Sequence, residues 1–122
     1  NRHFINRQLL RAMTRGSLLI NTAHGPIVDE QALFDAIQEG HLGGAALDVF
    51  ECEPYRPAHP AKDLRTLPQV LLTPHVGSST AEACRRMGER VLDNIRHGAY
   101  GRYEQMNLLN PAVLPILVPN PA

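Results

Sequence analysis

Short apolar runs alternate with amphipathic segments along the first hundred residues of this chain. Three of these runs, at 17–21, 45–50 and 70–73, have apolar centres and are bounded by polar residues or glycine. Apolar runs of this length favour strands that are buried on both faces, as in a parallel sheet. The pattern therefore predicts three buried, parallel strands.

Helix signals precede and separate the first two predicted strands. Asn6 caps a short helix that runs to Met13, and Asp29 caps a second helix that runs to about Glu39. With a third helix after the last strand, the order is typical of an α/β protein with right-handed crossovers. A complete doubly wound domain has about five or six strands, so the pattern predicts half of such a domain.

The third predicted helix opens at Ser79, which forms a capping box with Glu82, and it ends at Gly98. One side of it carries an apolar stripe, and Cys84 beside the stripe is expected to be a small buried hydrophobe. We expect this stripe to pack in the core. It consists of Ala83, Met87, Val91 and Ile95.

Prolines mark two segments that carry no regular element. The segment 51–69 contains four prolines and is predicted to be a long surface loop, of a kind that is often functional. The tail 107–122 also contains four prolines and is predicted to be extended.

Composition and charge exclude several classes of function. Lys plus Arg and Asp plus Glu both number 12, so no basic surface is expected for nucleic acid or an anionic membrane. No apolar stretch approaches the roughly 20 residues that cross a bilayer, and no signal peptide is recognised.

The two cysteines are far apart and the six histidines have no zinc-site spacing. We expect a soluble, cytoplasmic protein with reduced thiols and no metal.

Chemistry-bearing side chains cluster near the ends of the predicted strands. In a parallel sheet His24, Asp48 and His75 would follow strand ends on one carboxyl edge, where ligands bind in open α/β sheets. Glu53 follows Asp48 closely enough to reach the imidazole of His75. A carboxylate at one ring nitrogen raises the histidine pKa and leaves the other nitrogen for general acid/base catalysis. A solvated rim histidine and an exposed loop acid are the alternatives.

Three ordered motifs of the chain resemble the D-isomer-specific 2-hydroxyacid dehydrogenases, a family that includes D-lactate, glyoxylate/hydroxypyruvate and D-3-phosphoglycerate dehydrogenases. The motifs are LLINTAHGPIVDE at 18–30, GGAALDVFECEP at 43–54 and LTPHVGS at 72–78. The resemblance implies the C-terminal half of a doubly wound, Rossmann-type NAD-binding domain over 1–98. It leaves 99–122 as a tail that packs on a substrate domain or is disordered.

The resemblance also implies hydride transfer between NAD or NADP and a small 2-oxo acid. By matching position, His75 would protonate the forming hydroxyl oxygen and Glu53 would orient and charge His75. Asp48 would hydrogen-bond the nicotinamide carboxamide. The other residues of the implied nicotinamide site are Thr22, Ala23, His24 and Gly77, with His75.

The chain departs from the family at His24, where the family has an arginine that grips the substrate carboxylate. A histidine offers one or two donors instead of a planar, permanently charged fork. His24 is therefore an adapted catalytic ligand of the substrate, the mark of weakened or lost activity, or a cloning or sequencing variant. The alternative function is a non-catalytic relative that binds a dinucleotide or a protein partner.

The second departure is the phosphate-binding turn. The G-x-G-x-x-G pattern and the acidic residue that holds the adenosine ribose are not found in this sequence, and the resemblance places both upstream. We therefore expect this polypeptide by itself neither to bind NAD tightly nor to turn over substrate, and the choice between NAD and NADP stays open. Members of the family commonly form homodimers, and the oligomeric state of this protein stays open. A stand-alone α/β module of unrelated function is a third possibility.

Overall fold

The computed structural model describes residues 1–117 and contains two compact units, which meet in sequence between Val76 and Gly77. The first unit holds the sheet and the second holds a long helix. The boundary predicted at residue 98 separates parts by function rather than by compactness, and it stays a prediction.

The first unit has the predicted order of elements, helix, strand, helix, strand, loop and strand. Two 3₁₀ turns, Gly25–Ile27 and Leu64–Thr66, lie in the connections. The helices and strands are α1 (Arg7–Ala12), β1 (Leu18–Asn21), α2 (Glu30–Gln38), β2 (Gly44–Leu47) and β3 (Val70–Leu72).

The three strands form one parallel sheet in the order β1-β2-β3. Leu19 of β1 pairs with Ala45, which pairs in turn with Val70, so these three side chains form one row across the sheet. The next row on the same face runs from Asn21 across β2 to Leu72. The parallel α/β architecture predicted from the apolar runs is confirmed.

Both predicted caps of the first unit are present. The side chain of Asn6 accepts the N–H of Leu9 at 3.1 Å, and that of Asp29 accepts the N–H of Ala32 at 2.9 Å. Each bond satisfies one of the amide groups that a helix leaves unpaired at its start. The sequence signals for α1 and α2 are therefore borne out at the atomic level.

The core of the first unit lies between α1, α2 and one face of the sheet. Its most deeply buried large side chains come from α1, α2 and the proline-containing loop. They are Leu10, Leu33, Ile37 and Leu64. The predicted loop 51–69 is therefore not only a surface feature, because Leu64 anchors it in the core.

The other face of the sheet is open, and the prediction of strands buried on both faces is wrong for this structure. Leu18 and Ile20 of β1 are 67% and 71% exposed, and Leu71 of β3 is 63% exposed. Successive side chains of a strand point to opposite faces, and within the first unit helices cover only one of them. A continuous apolar run shows that both faces of a strand are suited to burial. It does not show whether another layer of structure lies against each face.

The second unit begins with α3 (Ala81–Ala99), which Thr80 caps through a 3.1 Å hydrogen bond from the Ala83 N–H. The sequence predicted Ser79 as the cap. Ser79 and Thr80 both carry hydroxyl groups, and the one that bonds an amide three residues ahead is Thr80. The predicted capping box of Ser79 with Glu82 is therefore not formed.

The apolar stripe of α3 is exposed, contrary to the prediction that it packs in the core. Met87, Val91 and Ile95 are between 49% and 61% exposed, and no residue of α3 is buried. Cys84, expected to be buried, is an exposed free thiol, as is Cys52. The stripe has helical spacing, but the described second unit supplies no layer to cover it.

The tail contains more helix than its prolines suggested. Within the segment 107–122 a 3₁₀ turn, Pro111–Val113, precedes a single helical turn, α4 (Leu114–Leu117), and another 3₁₀ turn, Tyr103–Gln105, lies just before this segment. Proline is tolerated in a first helical turn because the amide it lacks has no partner there. Residues 118–122 of the predicted extended tail lie outside the described residues. No helix within 1–117 is both long and apolar enough to cross a membrane.

Candidate active site

The carboxyl ends of the three strands bring together residues that lie far apart in sequence. Asn21 ends β1, Asp48 follows β2, and Thr73 and His75 follow β3. The Asp48 N–H donates to the Asn21 carbonyl at 3.0 Å, and the Thr73 N–H donates to the Leu47 carbonyl at 2.9 Å. The parallel ladder therefore continues past the strands and fixes the loops that carry the predicted site.

His75 and Glu53 form the predicted pair. Nδ1 of His75 lies 3.0 Å from Oε2 of Glu53, while Oε1 of the same carboxylate accepts the Phe50 N–H at 3.1 Å. A carboxylate accepts hydrogen bonds, so Nδ1 carries the hydrogen and Nε2 faces away from Glu53. The two side chains are half exposed. This arrangement leaves the second ring nitrogen, Nε2, open to a ligand.

The pair shifts the protonation equilibria of both partners. The hydrogen bond that His75 donates to Glu53, followed by the negative charge of Glu53, raises the pKa of His75 above its ordinary value. The hydrogen bond from His75, followed by the Phe50 N–H, lowers the pKa of Glu53. His75 therefore holds its proton to higher pH than a free histidine does, as a general acid requires.

Asp48 supports the backbone of His75. Its Oδ1 accepts the His75 N–H at 3.2 Å and also the hydroxyl of Thr73. His75 has a φ of 53°, a left-handed conformation that non-glycine residues seldom adopt. Asp48 thus supports the histidine in this unusual conformation, and the Thr73 hydroxyl holds the Asp48 carboxylate in turn. The contact of Asp48 with a nicotinamide carboxamide stays a prediction.

The loop after β1 is organised by Asn21, a residue to which sequence analysis gave no role in the site. The Asn21 side chain is buried, with Oδ1 accepting the amides of Ala23 and His24 at 3.1 Å and 3.3 Å. Its Nδ2 donates to the His24 carbonyl at 3.0 Å. Asparagine at the end of an apolar run, directly before a loop, is the signal that could have identified it.

Gly25 lets this loop approach the loop after β2. A Cβ atom at position 25 would lie 1.9 Å from the Phe50 carbonyl oxygen. Gly25 is buried, whereas Thr22, Ala23 and His24 are exposed. The close backbone approach therefore places the His24 loop beside the segment that holds Glu53.

Two cavities adjoin the histidine–glutamate pair. The smaller one, of about 330 Å³, is bounded by His24 and Ala23 on one side and by His75 and Glu53 on another. The larger one, of about 690 Å³, has mostly apolar walls, including Tyr55. His24 and His75, which are 51 positions apart in the chain, thus line one cavity.

A buried carboxylate holds the loop that leads to Glu53. Glu30, the first residue of α2, accepts the Glu51 N–H at 2.7 Å, and the Glu30 N–H donates back to Glu51 at 3.3 Å. Glu51 also accepts from His3 at 2.7 Å. Burial raises the pKa of Glu30. The loop is therefore fixed to α2 on one side and to the amino-terminal segment on the other.

The structure gathers most of the predicted site residues in the first unit. His24, Ala23, His75 and Glu53 line the smaller cavity, whereas Thr22 is exposed on the same loop. The predicted cofactor residue Gly77 belongs to the second unit, and its role stays a prediction. Within residues 1–117 no three His, Cys, Asp or Glu side chains are grouped so as to hold a metal ion.

Comparison with known proteins identifies the family. The family model of the D-isomer specific 2-hydroxyacid dehydrogenase NAD binding domain matches residues 1–77, more than half of the chain. This match ends two residues after His75 and so includes the strand ends, His24, Asp48 and Glu53.

Similar proteins agree with this match. A glyoxylate reductase of Thermofilum pendens is 50% identical over 93 residues, which are 76% of this chain and 26% of that protein. The glyoxylate/hydroxypyruvate reductase A HPR2 of Arabidopsis thaliana is 45% identical over 112 residues, 92% of this chain and 33% of the relative. The chain thus spans about a third or less of the length of these curated relatives.

A solved structure agrees in fold. The crystal structure of a D-isomer specific 2-hydroxyacid dehydrogenase from Xanthobacter autotrophicus Py2 in complex with NADPH and MES superimposes with a TM-score of 0.69 at 38% identity. The match covers 89% of this chain and 41% of the other. The parallel sheet is therefore part of a Rossmann-type NAD-binding domain, and this chain belongs to the D-isomer specific 2-hydroxyacid dehydrogenase family.

Proposed function

We propose that this chain is the C-terminal half of the NAD(P)-binding domain of a dehydrogenase that reduces a small 2-oxo acid to the D-2-hydroxy acid. The observation that carries the proposal is the His75–Glu53 pair, joined at 3.0 Å on the wall of a cavity that also contains His24. The names of the similar reductases, which act on glyoxylate or hydroxypyruvate, support this class of substrate.

The residues present fit the nicotinamide end of the cofactor. The smaller cavity lies at the carboxyl edge of the sheet, where dinucleotides bind in this fold. Ala23, His24 and His75 border it, and Asp48 uses only Oδ1 for its hydrogen bonds within residues 1–116. When a nicotinamide cofactor is bound, it would supply the hydride for the carbonyl carbon of the 2-oxo acid.

His75 supplies the proton in this proposal. It carries one hydrogen at Nδ1, bonded to Glu53, and gives the proton at Nε2 to the carbonyl oxygen of the 2-oxo acid, which becomes the hydroxyl of the product. His75 is left neutral, and the hydrogen at Nδ1 stays with the ring. Glu53 stabilises the charged imidazole before transfer, and the Phe50 N–H keeps the carboxylate in place.

His24 faces the same cavity and is the group on its loop that can bind the substrate carboxylate. Its ring donates one hydrogen bond, or two when protonated. A paired, planar contact of the kind an arginine makes is not possible. We therefore propose that His24 binds substrate more weakly than an arginine would at the same position.

The decisive experiment is an assay of the full-length enzyme that we propose contains this chain. NADH and NADPH oxidation is followed with glyoxylate and with hydroxypyruvate, for the unaltered enzyme, His75→Asn, and the control His59→Asn, an exposed loop histidine. The expected result is reduction of at least one acid, a loss of about 10²–10⁴-fold in kcat for His75→Asn, and no change for the control.

A non-catalytic dinucleotide-binding or protein-binding relative is the second candidate, and His24 in place of arginine favours it. Normal binding of NADH without reduction of either acid by the unaltered enzyme would support this candidate and overturn the dehydrogenase proposal. Equal activity of His75→Asn and the unaltered enzyme would refute the proposed role of His75.

A further inference from the structure

The loop at residues 22–24 reaches the cavity from the end of β1, and a single buried side chain holds its shape. Asn21 is 6% exposed and uses both ends of its amide on this loop. Oδ1 accepts two consecutive backbone amides, those of Ala23 and His24, and Nδ2 donates to the His24 carbonyl. All three hydrogen bonds of the Asn21 side chain are thus made to this loop.

We propose that Asn21 is a positioning residue for substrate binding, because it fixes the backbone of the loop that presents His24 to the cavity. This inference rests on the proposed reduction of a 2-oxo acid and adds a residue to it. Asn21 lies on the core face of the sheet, in the same row as Leu47 and Leu72. Asn21 therefore attaches the loop to the same sheet whose other strands, β2 and β3, are followed by Asp48 and His75.

The bonds of Asn21 also determine which groups the loop offers to a ligand. Two consecutive free amides beside a cavity would attract an anion, but those of Ala23 and His24 are already bonded to Asn21. A substrate carboxylate approaching this loop therefore meets the His24 side chain instead of the backbone amides. Substrate binding therefore depends on the orientation of the His24 side chain, and this orientation depends on the backbone conformation of the loop.

The position of His75 depends on different contacts. Glu53 is held by the Phe50 N–H, and the His75 backbone is held by Asp48. Loss of the Asn21 side chain should therefore weaken binding of the 2-oxo acid while leaving the proton-transfer pair in place. This separation distinguishes a positioning role from a general loss of folded protein.

The test compares Asn21→Ala with Asn94→Ala in the full-length enzyme. Asn94 is a matched control, because its side chain also accepts a backbone amide, that of Asn107 at 3.1 Å, in the second unit. For Asn21→Ala we expect the KM for glyoxylate or hydroxypyruvate to rise about tenfold or more. The pKa seen in the pH profile of kcat should not move, and Asn94→Ala should leave both quantities unchanged.

A second measurement reports the loop without relying on activity. Amide hydrogen exchange of Ala23 and His24 should accelerate about tenfold or more in Asn21→Ala. The Asp48 amide, which donates to the backbone carbonyl of Asn21, should keep its rate and show that the end of β1 is intact.

The outcomes separate this inference from the proposed function. Unchanged exchange at Ala23 and His24, or faster exchange with an unchanged KM, would overturn the role of Asn21 and leave the dehydrogenase proposal standing. A fall in kcat with unchanged KM would indicate loss of folded enzyme and would also overturn it. If the unaltered enzyme reduces neither acid, the proposed function fails together with the substrate part of this inference, and the exchange rates then decide whether Asn21 holds the loop.

Discussion

Nδ1 of His75 lies 3.0 Å from Oε2 of Glu53, although the two residues are 22 positions apart. The contact exists because the parallel strands β2 and β3 end on the same edge of the sheet, where the loop that carries Glu53 begins. It joins an acid and a base whose pKa values are displaced in opposite directions, that of His75 upwards and that of Glu53 downwards. The pH dependence of the proposed reaction follows from this pair.

Glu53→Gln should move the alkaline limit of reduction to lower pH. Reduction requires protonated His75, so the rate falls as the pH rises through the pKa of this histidine. The carboxylate of Glu53 raises that pKa, and an amide removes its charge. The pH profile of kcat of the full-length enzyme measures the shift, with Glu82→Gln on α3 as the control. An unchanged alkaline limit would contradict the role of Glu53.

His24→Arg should raise the turnover of small 2-oxo acids. An arginine at the wall of the smaller cavity can form two charged hydrogen bonds with a carboxylate, whereas His24 can direct only one ring N–H at it. We expect kcat/KM for glyoxylate or hydroxypyruvate to rise about tenfold or more, since hydrogen bonds to charged groups contribute about 1.5–3 kcal/mol. His59→Arg is the matched control. No gain, with normal NADH binding, would show that His24 is not a weakened substrate ligand.

Leu33→Ala should destabilise the chain far more than Leu18→Ala does. Leu33 is fully buried on α2, and truncation of such a leucine costs about 2–5 kcal/mol in the free energy of unfolding. Leu18 is 67% exposed on the open face of the sheet, so its truncation should change this free energy by roughly 0.5 kcal/mol or less. Urea unfolding of the two variants measures the difference. If both substitutions lowered the free energy of unfolding equally, the face of the sheet that carries Leu18 would be covered in solution.

Asp35→Asn should make stability less sensitive to acid. The hydrogen bond from Lys62, and then that from Arg7, lowers the pKa of Asp35. A carboxylate with a depressed folded pKa stabilises the fold above its unfolded pKa near 3.8, and this contribution is lost as the pH falls through the folded value. We expect Asp35→Asn to lower the free energy of unfolding by about 1.5 kcal/mol at pH 7 relative to the unaltered chain. At pH 3 this difference should be smaller, because the unaltered chain has itself lost part of the contribution of Asp35.

Urea unfolding at the two pH values checks the behaviour of Asp35→Asn. Glu39→Gln is the control, because Glu39 pairs with Arg11 at an exposed site where ion pairs contribute little. An equal fall in stability between pH 7 and pH 3 for Asp35→Asn and the unaltered chain would contradict this prediction.

Local patterns in the sequence determined the elements and much of the site. The caps Asn6 and Asp29 fixed two helix starts, since a side chain that bonds an amide three residues ahead is a local interaction. The order of strands and helices predicted a parallel sheet, and a parallel sheet places successive carboxyl ends on one edge. That rule, together with the short spacing between Asp48 and Glu53, predicts that Glu53 can reach His75.

Tertiary structure decided what local patterns do not encode. Leu18 and Met87 belong to correctly spaced apolar segments yet are exposed, because burial depends on whether another layer lies against them. The role of Asn21 was equally hidden, because any asparagine before a loop can bond the backbone and only the fold shows that this loop borders the cavity. Periodicity and helix capping depend on residues a few positions apart, so the sequence alone determines them. Which apolar face is buried, and which loops meet at a cavity, depends on contacts between distant parts of the chain.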